Sequence, residues 1–179
     1  MTPWRGHSDT EVVLAGIERW GLEATVEKCV GMFAFALWDR VDRALYLVRD
    51  RLGIKPLYYA EQPGALRFAS TLPALLAGDG IDTDLDPVAL HHYMHFHAVV
   101  PAPYTLLKGV RKLPPATLMV VEPNGQCTQR VYWELRFESK AEEQKLELGD
   151  WQERVLTELR AAVKRRLVAD VPVGVLLSG

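Results

Sequence analysis

Gly31-Met32-Phe33-Ala34-Phe35-Ala36-Leu37-Trp38 carries no charge on either face. Such a run suits a β-strand covered on both sides. Asp39 to Arg43 follow as a polar turn, and Ala44 to Val48 read as the partner strand of a hairpin. Leu57 to Ala60 and Ala65 to Ala69 flank Gln62-Pro63-Gly64 and predict a second hairpin. Leu118 to Glu122 and Val131 to Trp133 flank the Asn124-Gly125 turn. Pro101, Pro103, Pro114 and Pro115 mark an extended segment between the last two hairpins. Helices frame the strands. Ser8-Asp9-Thr10-Glu11 reads as a capping box, with Ser8 as cap and Glu11 three residues on. Val13, Ile17 and Trp20 follow at helical spacing, and Gly21 is a natural stop. Asp86-Pro87 caps a further short helix. The first part of the chain is therefore a β-rich α+β module.

Composition changes at Glu138. Residues 139–149 are polar and rich in Glu and Lys, as in a linker or mobile loop. A new helix is expected from Asp150, with Glu153 completing a capping box. Trp151, Val155, Leu159, Val163 and Leu167 recur every four residues and make one apolar stripe. Arg160, Lys164, Arg165 and Arg166 crowd the last turns, which suits the helix dipole. Val171-Pro172-Val173-Gly174-Val175-Leu176-Leu177 then reads as a strand opening into Ser178-Gly179. A strand running into a small-residue turn is how a phosphate-gripping loop begins. The expected organisation is a first domain over 1–137, a linker over 138–149, and the start of an α/β domain over 150–179.

A net charge of −2, without a long run of like charge, gives no sign of a nucleic-acid surface. Cys29 and Cys127 are too few and too far apart for a disulfide framework or a zinc site. No secretory leader and no bilayer-length apolar run is visible, so the reading is a cytoplasmic protein. His91 and His95 stand at i, i+4, the spacing at which two histidines share a helix face as metal ligands do. No Glu, Asp or Cys accompanies them or His92 and His97 at ligand spacing, and no metal site is expected.

Four stretches, in this order, resemble the glutamine-hydrolysing asparagine synthetase family. They are Ser8-Asp9-Thr10-Glu11-Val12, Gly31-Met32-Phe33-Ala34-Phe35-Ala36-Leu37-Trp38-Asp39, Arg49-Asp50-Arg51-Leu52-Gly53-Ile54-Lys55-Pro56-Leu57-Tyr58-Tyr59, and Val171 to Gly179. Arg111-Lys112-Leu113-Pro114-Pro115 fits the same pattern. The resemblance implies an αββα glutaminase sandwich of the N-terminal-nucleophile type, followed by an ATP-pyrophosphatase domain. The first would release ammonia from glutamine. The second would use ATP and Mg²⁺ to adenylate a carboxylate acceptor, which ammonia converts to an amide with release of AMP and pyrophosphate. A carboxylate is a poor electrophile until its oxygen becomes a good leaving group, so the two activities belong together.

Carried over by the same resemblance, Asp9 would bind the α-amino group of glutamine. Leu176 would contact the adenine side of ATP, and Ser178 with Gly179 would open the pyrophosphate loop. Read without the resemblance, Asp9 is a helix-start acid favoured by the dipole, and Leu176 is a core strand residue. The sequence also departs from the family. Thr2 stands where the family has its cysteine nucleophile, which is activated by its own α-amine. The Arg-Gly-Pro-Asp and Asn-Gly-Glu segments that hold glutamine have no match. The chain therefore reads as a piece of such an enzyme, with no catalytic residue of its own.

Arg49, Asp50 and Lys55 read as a loop fixed by internal ion pairs. Ala89 to Pro103 departs from a typical asparagine synthetase, which carries a Gly-aromatic pair where His97-Ala98 stand. It is similar to the N-acetylglutaminylglutamine amidotransferases, so the acceptor is either aspartate or an acylated dipeptide. The alternative from another class is a non-catalytic binding or interaction module on a glutaminase scaffold. A piece of a sandwich is expected to show exposed edges and to self-associate, as a homodimer or non-specifically.

Overall fold

All three expected hairpins form, and they divide between two antiparallel sheets. A computed structural model describes Gly6, residues 8–138 and residues 143–177. It contains two units, Met1–Leu135 and Arg136–Gly179. In the first, β1 (Ala34–Asp39), β2 (Ala44–Arg49), β6 (Thr117–Val121) and β7 (Cys127–Val131) form one sheet in the order β1-β2-β6-β7. β3 (Tyr58–Gln62), β4 (Ala65–Ala69) and β5 (Arg111–Lys112) form a second, ordered β4-β3-β5. Helices α1 (Asp9–Trp20), α2 (Leu22–Lys28), α3 (Leu72–Leu76) and α4 (Pro87–His95) complete the unit.

The alternation of side chains along each strand stacks these elements into layers. Leu47 and Met119 of the first sheet meet Leu57, Tyr59 and Leu113 of the second, and all five are buried. The opposite face of the first sheet presents Val48 and Leu118 to Val26 of α2. The outer face of the second presents Ala60 to Leu75 of α3, with Val110 beside them. The layers run helix, sheet, sheet, helix, so the fold is the α+β sandwich that the resemblance implied.

Several details differ from the sequence reading. β1 is not covered on both sides: its partner is β2, Trp38 is 54% exposed, and among the described residues no strand pairs with its outer edge. β7 begins at Cys127, straight after the Asn124-Gly125 turn, rather than at Val131. The turn explains this. Gln126 N donates to Asn124 Oδ1, and Glu122 N to Gln126 O, so pairing resumes at once. α2, α3 and β5 were not foreseen.

The Arg49–Lys55 loop is fixed by its charged groups, but through backbone partners rather than ion pairs. Arg49 is buried and donates to Lys55 O, Gly53 O and Leu113 O at 2.8, 2.6 and 2.5 Å. Asp50, fully buried, accepts from Leu52 N, Ile54 N and Lys55 N at 3.2, 3.0 and 2.9 Å. Gly53 makes the tight turn with φ +64°, and a Cβ there would lie 2.9 Å from Pro115. Tyr132 closes the arrangement, its hydroxyl donating to Arg49 O at 2.8 Å. Burial, with Asp50 nearby, pushes its phenol up to about 12. A pKa raised on folding stabilises below the unfolded value, near 10, and that stabilisation is lost as pH rises through the folded value. Burial raises Tyr46 and Tyr59 as well, so a phenolate absorbance titration should show several tyrosines ionising late, Tyr132 among them, together with loss of stability over that range. Tyr132→Phe should remove one of these late phenols and its share of the stability loss. A titration curve unchanged in Tyr132→Phe would refute the assignment.

In the second unit, α5 (Leu148–Arg166) starts two residues earlier than expected. Glu147 is the cap, and Asp150 reaches back to accept from Glu147 N at 2.9 Å, so Asp150 is the third residue of the first turn rather than the cap. None of its residues is buried, and the Trp151, Val155, Leu159, Val163 and Leu167 stripe is exposed. Within the interval read as a linker, Glu143–Lys145 forms a 3₁₀ turn, and Glu143 pairs with Arg154 at 2.9 Å. The expected strand over Val171–Leu177 does not form. A strand exists only as part of a hydrogen-bonded ladder, and no described strand pairs with this segment. Among the described residues, no helix is long and apolar enough to cross a membrane.

Candidate functional site

Ser8 caps α1 by accepting from Thr10 N, and Glu11 takes the N–H of Gly6 at 2.9 Å, beyond the cap residue that a capping box would have used. The helix rests on α2. Gly16 is the buried residue of α1, and a Cβ there would lie 2.8 Å from Thr25 Cγ2. Thr25 is itself held by donating to Gly21 O at 2.7 Å. Gly21, at φ +81°, turns the chain directly from α1 into α2. It is α2 whose Leu22 and Val26 pack on the sheet. This arrangement leaves room under α1.

Two clefts occupy that space, of about 520 and 640 Å³, and Ile17 and Leu37 line both. The smaller has Asp9, the first residue of α1, on one side. Phe33 and Phe35 give it an apolar lining, and Lys55-Pro56 and Ser70-Thr71 supply the rest of the wall. Asp9 is exposed, and its Oδ1 accepts from Ser8 Oγ at 3.4 Å. The Arg49–Asp50 loop thereby gains a purpose. It grips the backbone of Lys55 at both its N–H and its C=O, and so fixes the place of this residue in the cleft wall. A carboxylate, an ammonium and an apolar floor can hold a small zwitterion by charge at each end. The sequence reading gave Lys55 a structural part only. Nothing in its spacing separates a cleft lysine from any other loop lysine.

No cysteine lines either cleft. Cys29 caps the end of α2, and burial pushes its thiol up, against a smaller opposing effect of Arg51. Cys127 packs against the core between the sheets, and burial raises its thiol too. A raised pKa keeps a thiol protonated and a poor nucleophile. In the second unit, Leu176 stands fully exposed and outside any strand, while Ser178 and Gly179 lie outside the described residues. Residues 171–177 carry no strand among the described residues.

The four layers make an α+β sandwich with an acid-lipped cleft beside α1. The chain belongs to the glutamine amidotransferase domain family, a family of enzymes, whose profile matches residues 1–133. The asparagine synthase family matches residues 154–179. Glutamine-hydrolysing asparagine synthetase 1 of Bacillus subtilis is 38% identical over 173 residues, which are 96% of this chain and 26% of that protein. A putative asparagine synthetase of Mycobacterium tuberculosis is 37% identical over 175 residues, again 96% and 26%. The amidase chry2 of Gibberella zeae is 34% identical over 174 residues, 97% and 25%. The chain thus spans about a quarter of the length of these relatives. A solved glutamine phosphoribosylpyrophosphate amidotransferase of B. subtilis matches 74% of the chain and 24% of its own, with a TM-score of 0.49 and 16% identity.

Proposed function

We propose that this chain is the glutamine-holding module of a larger cytoplasmic amide ligase of the asparagine synthetase type. The observation that carries the reading is Asp9 at the first turn of α1, on a cleft whose wall also carries Lys55. Asp9 takes the α-ammonium of glutamine, Lys55 its carboxylate, and the Phe33–Phe35 wall its side-chain methylenes. In the larger enzyme, hydrolysis of the side-chain amide yields glutamate and ammonia. ATP with Mg²⁺ converts an acceptor carboxylate, of aspartate or an acylated dipeptide, to an acyl-adenylate. Ammonia then displaces AMP to form the amide. Neither thiol lines the cleft, which supports a chain that is inactive by itself.

Glutamate release from glutamine by the purified chain should stay at the buffer rate. Cys29→Ala and Cys127→Ala should leave it there. Saturation-transfer NMR should detect glutamine on the chain and lose it in Asp9→Asn. Turnover abolished by either cysteine substitution would overturn the inactivity. Glutamine contact unaltered in Asp9→Asn would overturn the site.

The outer edge of β1 and the bare stripe of α5 favour self-association. Light scattering should give a mass above that of one chain, rising with concentration. A sharply melting monomer at every concentration would refute this and favour the interaction-module reading.

A further inference from the structure

We propose that His91 and His95 form a two-imidazole chelate for a divalent transition-metal ion of the Ni²⁺, Cu²⁺ or Zn²⁺ class, at the last turn of α4. Residues at i and i+4 stack on one helix face. Here the two rings have centroids 4.0 Å apart and an interplanar angle of 32°. Two imidazole nitrogens that share an ion, each at about 2 Å from it, stand roughly 3 Å apart, a separation within reach of rings placed this way. Both residues are exposed, so an ion has access and water can fill its remaining positions. Among the described residues no group of three or more His, Cys, Asp or Glu is placed to hold an ion, so the site is a surface clip rather than a closed cage.

The second observation is the state of the His95 ring. Its Nδ1 lies 3.0 Å from His91 O. A carbonyl oxygen only accepts, so Nδ1 carries the proton and the free lone pair sits on Nε2. Metal-bound histidines are oriented by the same device, in which one ring nitrogen donates to a carbonyl and the other faces the ion. His92 does not join the pair. Its ring stacks on Phe96 at 5.6 Å, and its Nδ1 is buried. Borderline-soft divalent ions suit imidazole donors, whereas Mg²⁺ and Ca²⁺ require oxygen. A bound ion would link successive turns of α4 just before the backbone turns left-handed at His97 and Ala98, with φ 49° and 67°.

The test is calorimetric titration of the whole chain with NiCl₂ alone, beside thermal melting with and without Ni²⁺. One saturable site is expected to weaken about tenfold or more in His91→Ala and in His95→Ala. His97→Ala, beyond the helix end, should retain it. A ligand that binds only the folded chain raises its melting temperature, so Ni²⁺ should raise that of the parent and of His97→Ala, and not that of the pair variants. Circular dichroism confirms that each variant is folded before titration. Unchanged Ni²⁺ affinity in both pair variants, or an equal loss in His97→Ala, would overturn the proposal.

Discussion

Asp50→Ala is expected to destabilise the first unit by roughly 3 kcal/mol or more, because three backbone N–H groups lose their acceptor at a cost of about 1–3 kcal/mol each when buried. Asp50 is fully buried, and its two carboxylate oxygens serve Leu52, Ile54 and Lys55. Its own backbone is tied as well: Asp50 N donates to Phe33 O, and Asp50 O accepts from Gly53 N and Ala116 N. Alanine cannot replace the side-chain acceptors, and water reaches the loop only in part. Asp50→Asn keeps one acceptor oxygen but turns an amide N–H₂ toward other donors, so it should fall between alanine and the parent. Urea unfolding followed by tryptophan fluorescence measures the loss. A change below about 1 kcal/mol would show that the loop holds its shape without the carboxylate.

Leu47→Ala is expected to cost about 2–5 kcal/mol, the range for emptying a well-packed leucine site. Leu47 pairs across the strands with Met119, and both are fully buried. Each faces Leu57, Tyr59 and Leu113 of the other sheet, so the cavity would open between the sheets with rigid neighbours around it. Met119→Ala should also destabilise. The double variant should lose less than the sum of the two, because the residues share one space. Strict additivity in urea unfolding would contradict the shared core.

The hairpins were legible because each carried its own punctuation. Asp39 at the first turn accepts from Val41 N and Asp42 N, and Gly64 and Gly125 adopt positive φ at the other two. The faces of β1 were less legible. An uncharged run looks alike whether covered on one side or two, and pairing by β2 alone left Trp38 exposed. β7 was misplaced because four of its five residues are exposed and no apolar alternation marks them. α2 hid behind Gly21, which ends one helix and opens the next. Asp9 could be found through the family motif, since a helix-start acid has no other distinguishing mark. The rest of the cleft could not. Its wall is assembled from Phe33, Lys55 and Ser70, which stand far apart in the chain. At the second unit, the apolar stripe predicted a helix correctly, but a strand needs a neighbour that local sequence does not supply.

The Arg49 knot has a consequence for synthesis. Arg49 is made early, yet Leu113 O lies 64 residues further along the chain, and Tyr132, which binds Arg49 O, lies 83 residues further. Contacts that distant form late, because the intervening chain must first be closed into a loop. While a ribosome is still extending the polypeptide, this guanidinium remains in water and the Lys55 loop is untied. The Arg49 loop lacks its last tie until Tyr132 has left the exit tunnel. The amidotransferase match ends at residue 133, just past Tyr132, and so takes in both ends of the knot.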